Sequence, residues 1–169
     1  MKIPVFVSSP TFLNVDQEAS MNIVLEAIDR FGLEPRTLGR SDYPTELPLR
    51  EVYVIAKHCA GGIILGFEQF ETSSGTWKRG TNEECAVDVD STVKFPTPWN
   101  HLESGILYSR GLPMLVFKED GISGGAFDRG VTDVFVHKMP THKMSSDEKG
   151  ALSGVFLKWQ SKVREFYYK

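Results

Sequence analysis

The stretch PTPWNHLESGILYSRGLP, Pro96 to Pro113, places a histidine and a glutamate in the first turns of an amphipathic run that stops at a glycine and a proline. A carboxylate there has two uses. It can match the helix dipole from the surface, or it can stabilise or attack a sugar carbon that is becoming cationic. Helical spacing puts Leu102, Ile106 and Leu107 on the apolar face. Glu103 then shares its own face with Trp99 and Asn100, at offsets of four and three. A second group of hydroxyls sits near the start, in Ser8, Ser9, Pro10, Thr11 and Phe12. Preceding a helix, its hydroxyls and backbone N–H groups can face an anion or a sugar, or they can cap their own backbone. The loop is no Walker motif and lacks GxGxxG spacing, so neither a triphosphate loop nor a dinucleotide fingerprint is present. His58, His101, His137 and His142 are too dispersed to form a metal-ligand set, so no metal or cofactor is expected.

These residues need a scaffold, and the apolar pattern predicts one. Ile3 to Val7 reads as a first strand ending at Ser8, Ser9 and Pro10. Helical spacing follows over Asp16 to Phe31, with Gly32 as the stop. Leu33 to Leu38 reads as a short edge strand, because Pro35 cannot donate to a central ladder. RSDYPTELP is a loop with two prolines, and Leu49 to His58 is helical again. AGGIILGF is an apolar run bounded by glycines, the signature of a fully buried parallel strand at the sheet centre. Glu68 to Thr97 is polar and long, with Trp77 inside it, and reads as a functional active-site lid or a disordered loop. Asn100 to Arg110 is a helix, Leu112 to Lys118 a buried strand, EDGISGGAFDRGV a glycine-rich connection and Asp133 to His137 the last strand. Ser145, Ser146 and Asp147 offer an N-cap to a closing amphipathic helix through Leu152, Phe156, Trp159, Val163 and Phe166.

Strand and helix in alternation predict a single α/β domain over residues 1–169. Its five-stranded parallel sheet should have flavodoxin-like order 2-1-3-4-5, with helices on both faces. Ligands in such sheets sit at the carboxyl ends of the strands, where the strand order reverses. That rim collects the Ser8–Thr11 loop, then Gly66, Phe67 and Glu68 after the third strand, and Lys118, Glu119 and Asp120 after the fourth. The helix start with Trp99, Asn100, His101 and Glu103 rises from the same edge.

Bulk properties exclude several classes. The 169 residues suffice for a core without a metal or disulfide staple. A net charge of -3 with scattered cations gives no stripe for polymeric nucleic acid. No apolar run approaches the roughly 20 residues of a membrane helix, and MKIPVFVSSP is too short and polar for a signal peptide. Cys59 and Cys85 form no paired motif, which fits a reducing, cytoplasmic setting, Cys59 as a buried small hydrophobe and Cys85 as a loop thiol. The closing helix offers Trp159, Phe166, Tyr167 and Tyr168 either to the sheet or to a subunit interface.

The pairing of VFVSSPTF with WNHLESGILYSRGLPMLVF resembles the nucleoside 2-deoxyribosyltransferase-like superfamily, whose helix reads E-x-G followed by G-x-P. Here that element is Glu103, Gly105, Gly111 and Pro113. PWNHLE also resembles the W-C-x-x-E element of TIR domains, with Trp99 and Glu103 in register and Asn100 where the cysteine would be. The resemblance implies a glutamate-dependent N-glycosidase, hydrolase or transferase, acting on a nucleotide-like small molecule such as NAD or a nucleoside monophosphate. Glu103 would be the catalytic carboxylate. Trp99 or Phe12 would stack on a base, and Ser8, Ser9 and Thr11 would hold a phosphate or ribose hydroxyl. Related enzymes complete their sites across subunits, which implies a homo-oligomer, and TIR-like enzymes serve as stress or antiviral effectors. The sequence departs from the transferases where acidic residues are expected, reading KHCAGG and FPTPWN, so no base-recognising aspartate is assigned. Glu68, Asp88, Asp90 and Asp128 remain open as the general acid. Two other readings stand beside this one: a non-catalytic nucleotide sensor or assembly module, and a flavodoxin-type electron carrier, which would be yellow.

Overall fold

The computed structural model describes residues 2–43 and 45–169; Met1 and Pro44, one of the two prolines of the RSDYPTELP loop, lie outside them. The chain begins with β1 (Ile3–Ser8), α1 (Val15–Arg30) and β2 (Leu33–Arg36), then α2 (Pro48–Lys57) and β3 (Gly62–Gly66). Four short strands follow, β4 (Phe70–Thr72), β5 (Thr76–Trp77), β6 (Cys85–Ala86) and β7 (Val93–Phe95). The chain continues through α3 (Pro98–Ser109), β8 (Met114–Lys118), a 3₁₀ turn over Gly125–Phe127, β9 (Val136–Lys138) and α4 (Ser146–Tyr167).

The main sheet has the order β2-β1-β3-β8-β9, and every pairing in it is parallel. This is the flavodoxin-like arrangement expected from the sequence, with β8 and β9 as the fourth and fifth strands. Strand β3 is central and wholly buried, as its unbroken apolar run requires. Pro35 pairs with Val5 on edge strand β2, where its missing N–H costs no ladder bond.

Each face of the sheet is covered by a helix pair. On one side Met21, Val24, Ile28, Phe156, Trp159 and Val163 of α1 and α4 pack on Val5, Val7, Ile63 and Leu65. Trp159 donates its ring N–H to the Pro113 carbonyl at 3.0 Å. On the other side Val52, Ile55 and Ala56 of α2 and Leu107 of α3 pack on Phe6, Ile64 and Val116, with Phe127 closing the layer.

Three expectations change. The segment 68–97 is not an open loop, since β4 pairs with β7 and β5 with β6, both antiparallel. Phe95 joins the two pairs, its ring centroid 6.3 Å from Phe70 and 6.0 Å from Trp77, an aromatic contact that still leaves Phe70 and Trp77 exposed. The last strand is Val136–Lys138 rather than Asp133 to His137, because register with β8 is set by Val136, whose side chain reaches the core, while Phe135 stays outside. Helix α3 starts at Pro98 rather than Asn100, with consequences for the site below.

Candidate functional site

Thr97 caps α3, accepting the Trp99 N–H at 3.3 Å, and Pro98 fills the first helical position, where its fixed φ suits the entry and no N–H is missed. Starting two residues early moves Glu103 out of the first turn and into the second. The helix dipole acts on the first turn, so it does not account for this carboxylate.

The buried face also differs from the expectation. It is Asn100, Glu103, Ser104 and Leu107, whereas Leu102 is 48% exposed and Ile106 half-buried. Gly62 in β3 explains the rotation. A Cβ there would lie 2.6 Å from Leu107 Cδ1, so the bare glycine is the socket that receives Leu107. Once Leu107 is seated, the residues three, four and seven positions before it face the sheet as well, and those are Ser104, Glu103 and Asn100. Three polar groups are thereby pressed against the β1–β3 pair, at the reversal of strand order.

Their surroundings are dry. Glu103 is 7% exposed, and burial pushes its carboxyl up from 4.5 to about 7; the Ser8 hydroxyl, hydrogen-bonding to it, pulls the other way. Among the described residues no cation pairs with it. Ser8, the last residue of β1, accepts a hydrogen bond from Asn100 Nδ2 at 2.7 Å. Asn100 is fully buried, and its Oδ1 has no partner among the described residues. Ser104 turns its hydroxyl back to the His101 carbonyl, 2.9 Å away.

The turn at Gly125–Phe127 walls this site. His101 meets the Phe127 ring edge-on at 5.5 Å. Gly125 has φ +54, and a Cβ on it would stand 2.8 Å from His101 Nδ1. Gly66 leaves equal room on the other side of the ring, where a Cβ would be 2.4 Å from Phe127 Cε1. Lys118 fastens the turn, donating to the carbonyls of Ile122 and Phe127 at 2.8 and 3.2 Å.

The remaining candidates scatter along the rim. Ser9 is half-buried and bonds weakly to the Pro10 carbonyl, while Thr11 and Phe12 are exposed, Phe12 to 86%. Their loop does not present a free helix N-terminus. Helix α1 is closed by a reciprocal cap between Asn14 and Gln17 and carries Asp16 and Glu18 in its first turn, which disfavours an anion there. Trp99 is 39% exposed at the mouth of α3, and Phe67 lies wholly within the core on the α1/α4 side.

Of the four acids expected as partners to Glu103, two are engaged elsewhere. Glu68 is paired with Lys94 at 2.6 Å, and Asp128 accepts the Gly124 N–H at 2.8 Å. Asp88 and Asp90 are exposed on the β5–β7 arm.

The sequence reading passed over the loop after β2. From it Arg40 reaches Glu18 at 2.7 Å and the Thr11 carbonyl at 3.3 Å, bracing the Ser9–Thr11 loop. The rim rule applied to the second strand would have found it. Gln17 was also missed; buried on α1, it donates to the Glu68 carbonyl and to Glu119, and Glu119 accepts the Glu68 N–H as well. A cleft of about 290 Å³ opens beside that cluster, between Lys94, Lys118, Glu119, Asp120, Lys138 and His142. Glu103 does not line it, and several of its charges neutralise one another, Lys94 with Glu68 and Lys138 with Asp120. Glu103, desolvated and with no cation partner among the described residues, is the carboxyl that burial moves out of its ordinary range.

Among the described residues no cluster of three His, Cys, Asp or Glu side chains could hold a metal, and no helix is long and apolar enough to cross a membrane. No family model and no curated protein matches the sequence. Among solved structures the chain is similar to the Clostridium botulinum CMP N-glycosidase BcmB, with a TM-score of 0.53 and 13% identity over 91% of this chain and 98% of that one. At that identity the likeness is one of fold.

Proposed function

We propose that this protein is an N-glycosidase that breaks the bond between sugar and base in a nucleotide-like small molecule, with Glu103 as its catalytic carboxylate. One observation carries the reading: Glu103 is a buried carboxyl with no cation partner among the described residues, beside Ser8 at the strand-order reversal, in a fold similar to that of a CMP N-glycosidase. A structural glutamate in this place would be expected to have an arginine or lysine partner. A catalytic one is better without, because its partner is the charge that forms at C1′ as the base departs.

In this mechanism the base leaves with the bonding electron pair, and the sugar acquires oxocarbenium character. The Glu103 carboxylate then either stabilises that charge or closes on C1′, and water adds to complete hydrolysis. Ser8 holds the carboxylate in place. In this reading Trp99 and Phe12 would stack on the base, and the Ser9 and Thr11 hydroxyls would hydrogen-bond a sugar hydroxyl. A nucleoside monophosphate is the first substrate class to test, on the likeness to the CMP N-glycosidase, and NAD the second.

The experiment is base release from CMP, other nucleoside monophosphates, nucleosides and NAD, read by mass. Turnover lost in both Glu103→Gln and Glu103→Ala supports the assignment; turnover unchanged in Glu103→Gln refutes it. One observation favours a second reading, a binding module without chemistry: Glu103 exposes little surface, and the well-formed cleft lies elsewhere. Nucleotide binding with no turnover over hours and indifference to Glu103→Gln would establish that instead.

A further inference from the structure

We infer that Asn100 is a positioning residue for Glu103, acting through the Ser8 hydroxyl: its side-chain amide sets which way the Ser8 proton points. This rests on the reading of Glu103 as the catalytic carboxylate.

The chain of contacts is directional. A serine hydroxyl has one proton to give. With Asn100 Nδ2 donating to Ser8 Oγ at 2.7 Å, the Ser8 proton is free to point at Glu103, where it stabilises the ionised carboxylate. In that arrangement the buried Oδ1 of Asn100 is left without a partner, a costly state for a carbonyl out of water. Turning the amide over pairs Oδ1 and leaves Nδ2 unpaired instead. Oδ1 then accepts the Ser8 proton, and Ser8 Oγ accepts a proton from the neutral Glu103 carboxyl.

The three side chains therefore have two self-consistent states. In one, protons run from Asn100 to Ser8 to an ionised Glu103. In the other they run from a protonated Glu103 to Ser8 to Asn100. Interconversion needs one amide rotation and one proton exchanged with solvent or substrate. It moves no helix or strand. Each state leaves one end of the Asn100 amide unpaired, so neither is strongly preferred, and Glu103 keeps both protonation states within reach near neutrality.

Among the described residues no other titratable group competes for this role. Strands β1 and β3, against which α3 packs, carry no titratable side chain over Ile3–Ser8 and Gly62–Gly66. On the Gly125–Phe127 turn, Asp128 is bonded to the Gly124 N–H. Helix α2 brings Arg50, Glu51 and Lys57, and Tyr53, which is exposed beneath the Arg110 guanidinium. Of these Arg50 pairs with Glu46, Glu51 accepts from Thr45 and Glu46, and Lys57 is exposed. On α3 itself His101 packs on Phe127 and Tyr108 is exposed, and Arg110, its C-cap, stands over the Tyr53 ring.

The test is a titration of the protein labelled with ¹³C at the glutamate carboxyl, the Glu103 signal being the one absent from Glu103→Gln. Asn100→Ser, too short to reach Ser8, is expected to raise the Glu103 midpoint by about one pH unit, the size of one lost hydrogen bond. Ser8→Ala should raise it as much, and the double variant no further than Ser8→Ala alone. An unmoved midpoint in Asn100→Ser, or additive shifts in the double variant, overturns the inference. Should Asn100→Ser fail to fold, the wild type supplies the answer: its Asn100 side-chain amide signals are expected to titrate with Glu103, and signals that stay fixed refute the link. These readings use no substrate. Turnover is the separate check, with kcat of Asn100→Ser about fivefold lower at pH 7, the loss of ionised Glu103 that a one-unit rise gives, and KM within twofold. Activity that survives in Glu103→Gln sinks the catalytic reading whatever the titration gives.

Discussion

Replacing Glu103 by glutamine should make this protein more stable, and only above a definite pH. The unfolded chain binds the Glu103 proton with an ordinary pKa of 4.5, whereas burial in the folded chain raises it to about 7. Below pH 4.5 the carboxyl is protonated in both states, and folding is indifferent to it. Between 4.5 and 7 the unfolded chain ionises while the folded chain resists, and stability falls. Above 7 the folded chain carries the whole cost of a desolvated charge, about 3 kcal/mol. Glutamine has nearly the same shape and can still accept the Ser8 hydroxyl, but it never ionises. Urea unfolding of both proteins from pH 4 to pH 8.5 should therefore show curves that nearly coincide at pH 4.5 and separate by about 3 kcal/mol at pH 8. For a chain of this size that corresponds to a melting temperature roughly 6–12 °C higher for the variant. A separation that stays constant across this range, or a variant no more stable at pH 8, would refute the idea that Glu103 is held dry and unpaired.

If the ionised carboxylate is the reactive form, kcat/KM should rise tenfold per pH unit below about 7 and level off above it, as steady-state rates from pH 5.5 to 8.5 would show; a fall through the same pH would assign Glu103 to proton donation instead. Gly125→Ala should cost about 1–2 kcal/mol, since it combines φ +54 with a Cβ 2.8 Å from His101, and chemical denaturation measures it. Gly66→Ala should cost about 2–3 kcal/mol in the same assay, because the Phe127 ring at 2.4 Å is held between sheet and turn and has nowhere to move. Alkylation of the native protein at pH 8 should label exposed Cys85 and spare Cys59, whose thiol burial pushes up to about 12; equal labelling would contradict the packing of α2 on the sheet.

The sheet was legible because its signals are local. Glycine-bounded GIILG can only be a buried strand, and Pro35 can only lie at an edge. The orientation of α3 was not legible, although the helix was. Counting apolar residues favours a face through Leu102 and Ile106, yet the deciding feature is Gly62, 45 positions before the Leu107 it receives. A tertiary socket overrode the binary pattern and turned Asn100, Glu103 and Ser104 inwards. The short strands of residues 68–97 were hidden for a similar reason. Two-residue and three-residue ladders have no periodicity to detect, and their support comes from Phe70, Trp77 and Phe95 meeting across some 25 residues of chain. The pairing of Glu68 with Lys94, which occupies one of the expected acids, depends on the same hidden ladder.

The inward turn of α3 ties stability to function. A helix that buried Leu102 and Ile106 would give a better core and leave Glu103 in water, ionised and ordinary. By seating Leu107 on Gly62 the fold forgoes that apolar area and places an unmatched carboxyl against the sheet, at a cost that grows with pH. In the free protein this is pure loss. In the proposed glycosidase a sugar at the rim would turn it into a difference in binding, because a neutral ground-state substrate offers the carboxylate no counter-charge and a cationic transition state does. Desolvation makes that late attraction strong in the same measure as it makes the resting state unfavourable. An arginine set beside Glu103 would relieve the first effect only by cancelling the second. For the proposed glycosidase, the absence of a cation around Glu103 among the described residues is thus as much a part of the site as the carboxylate.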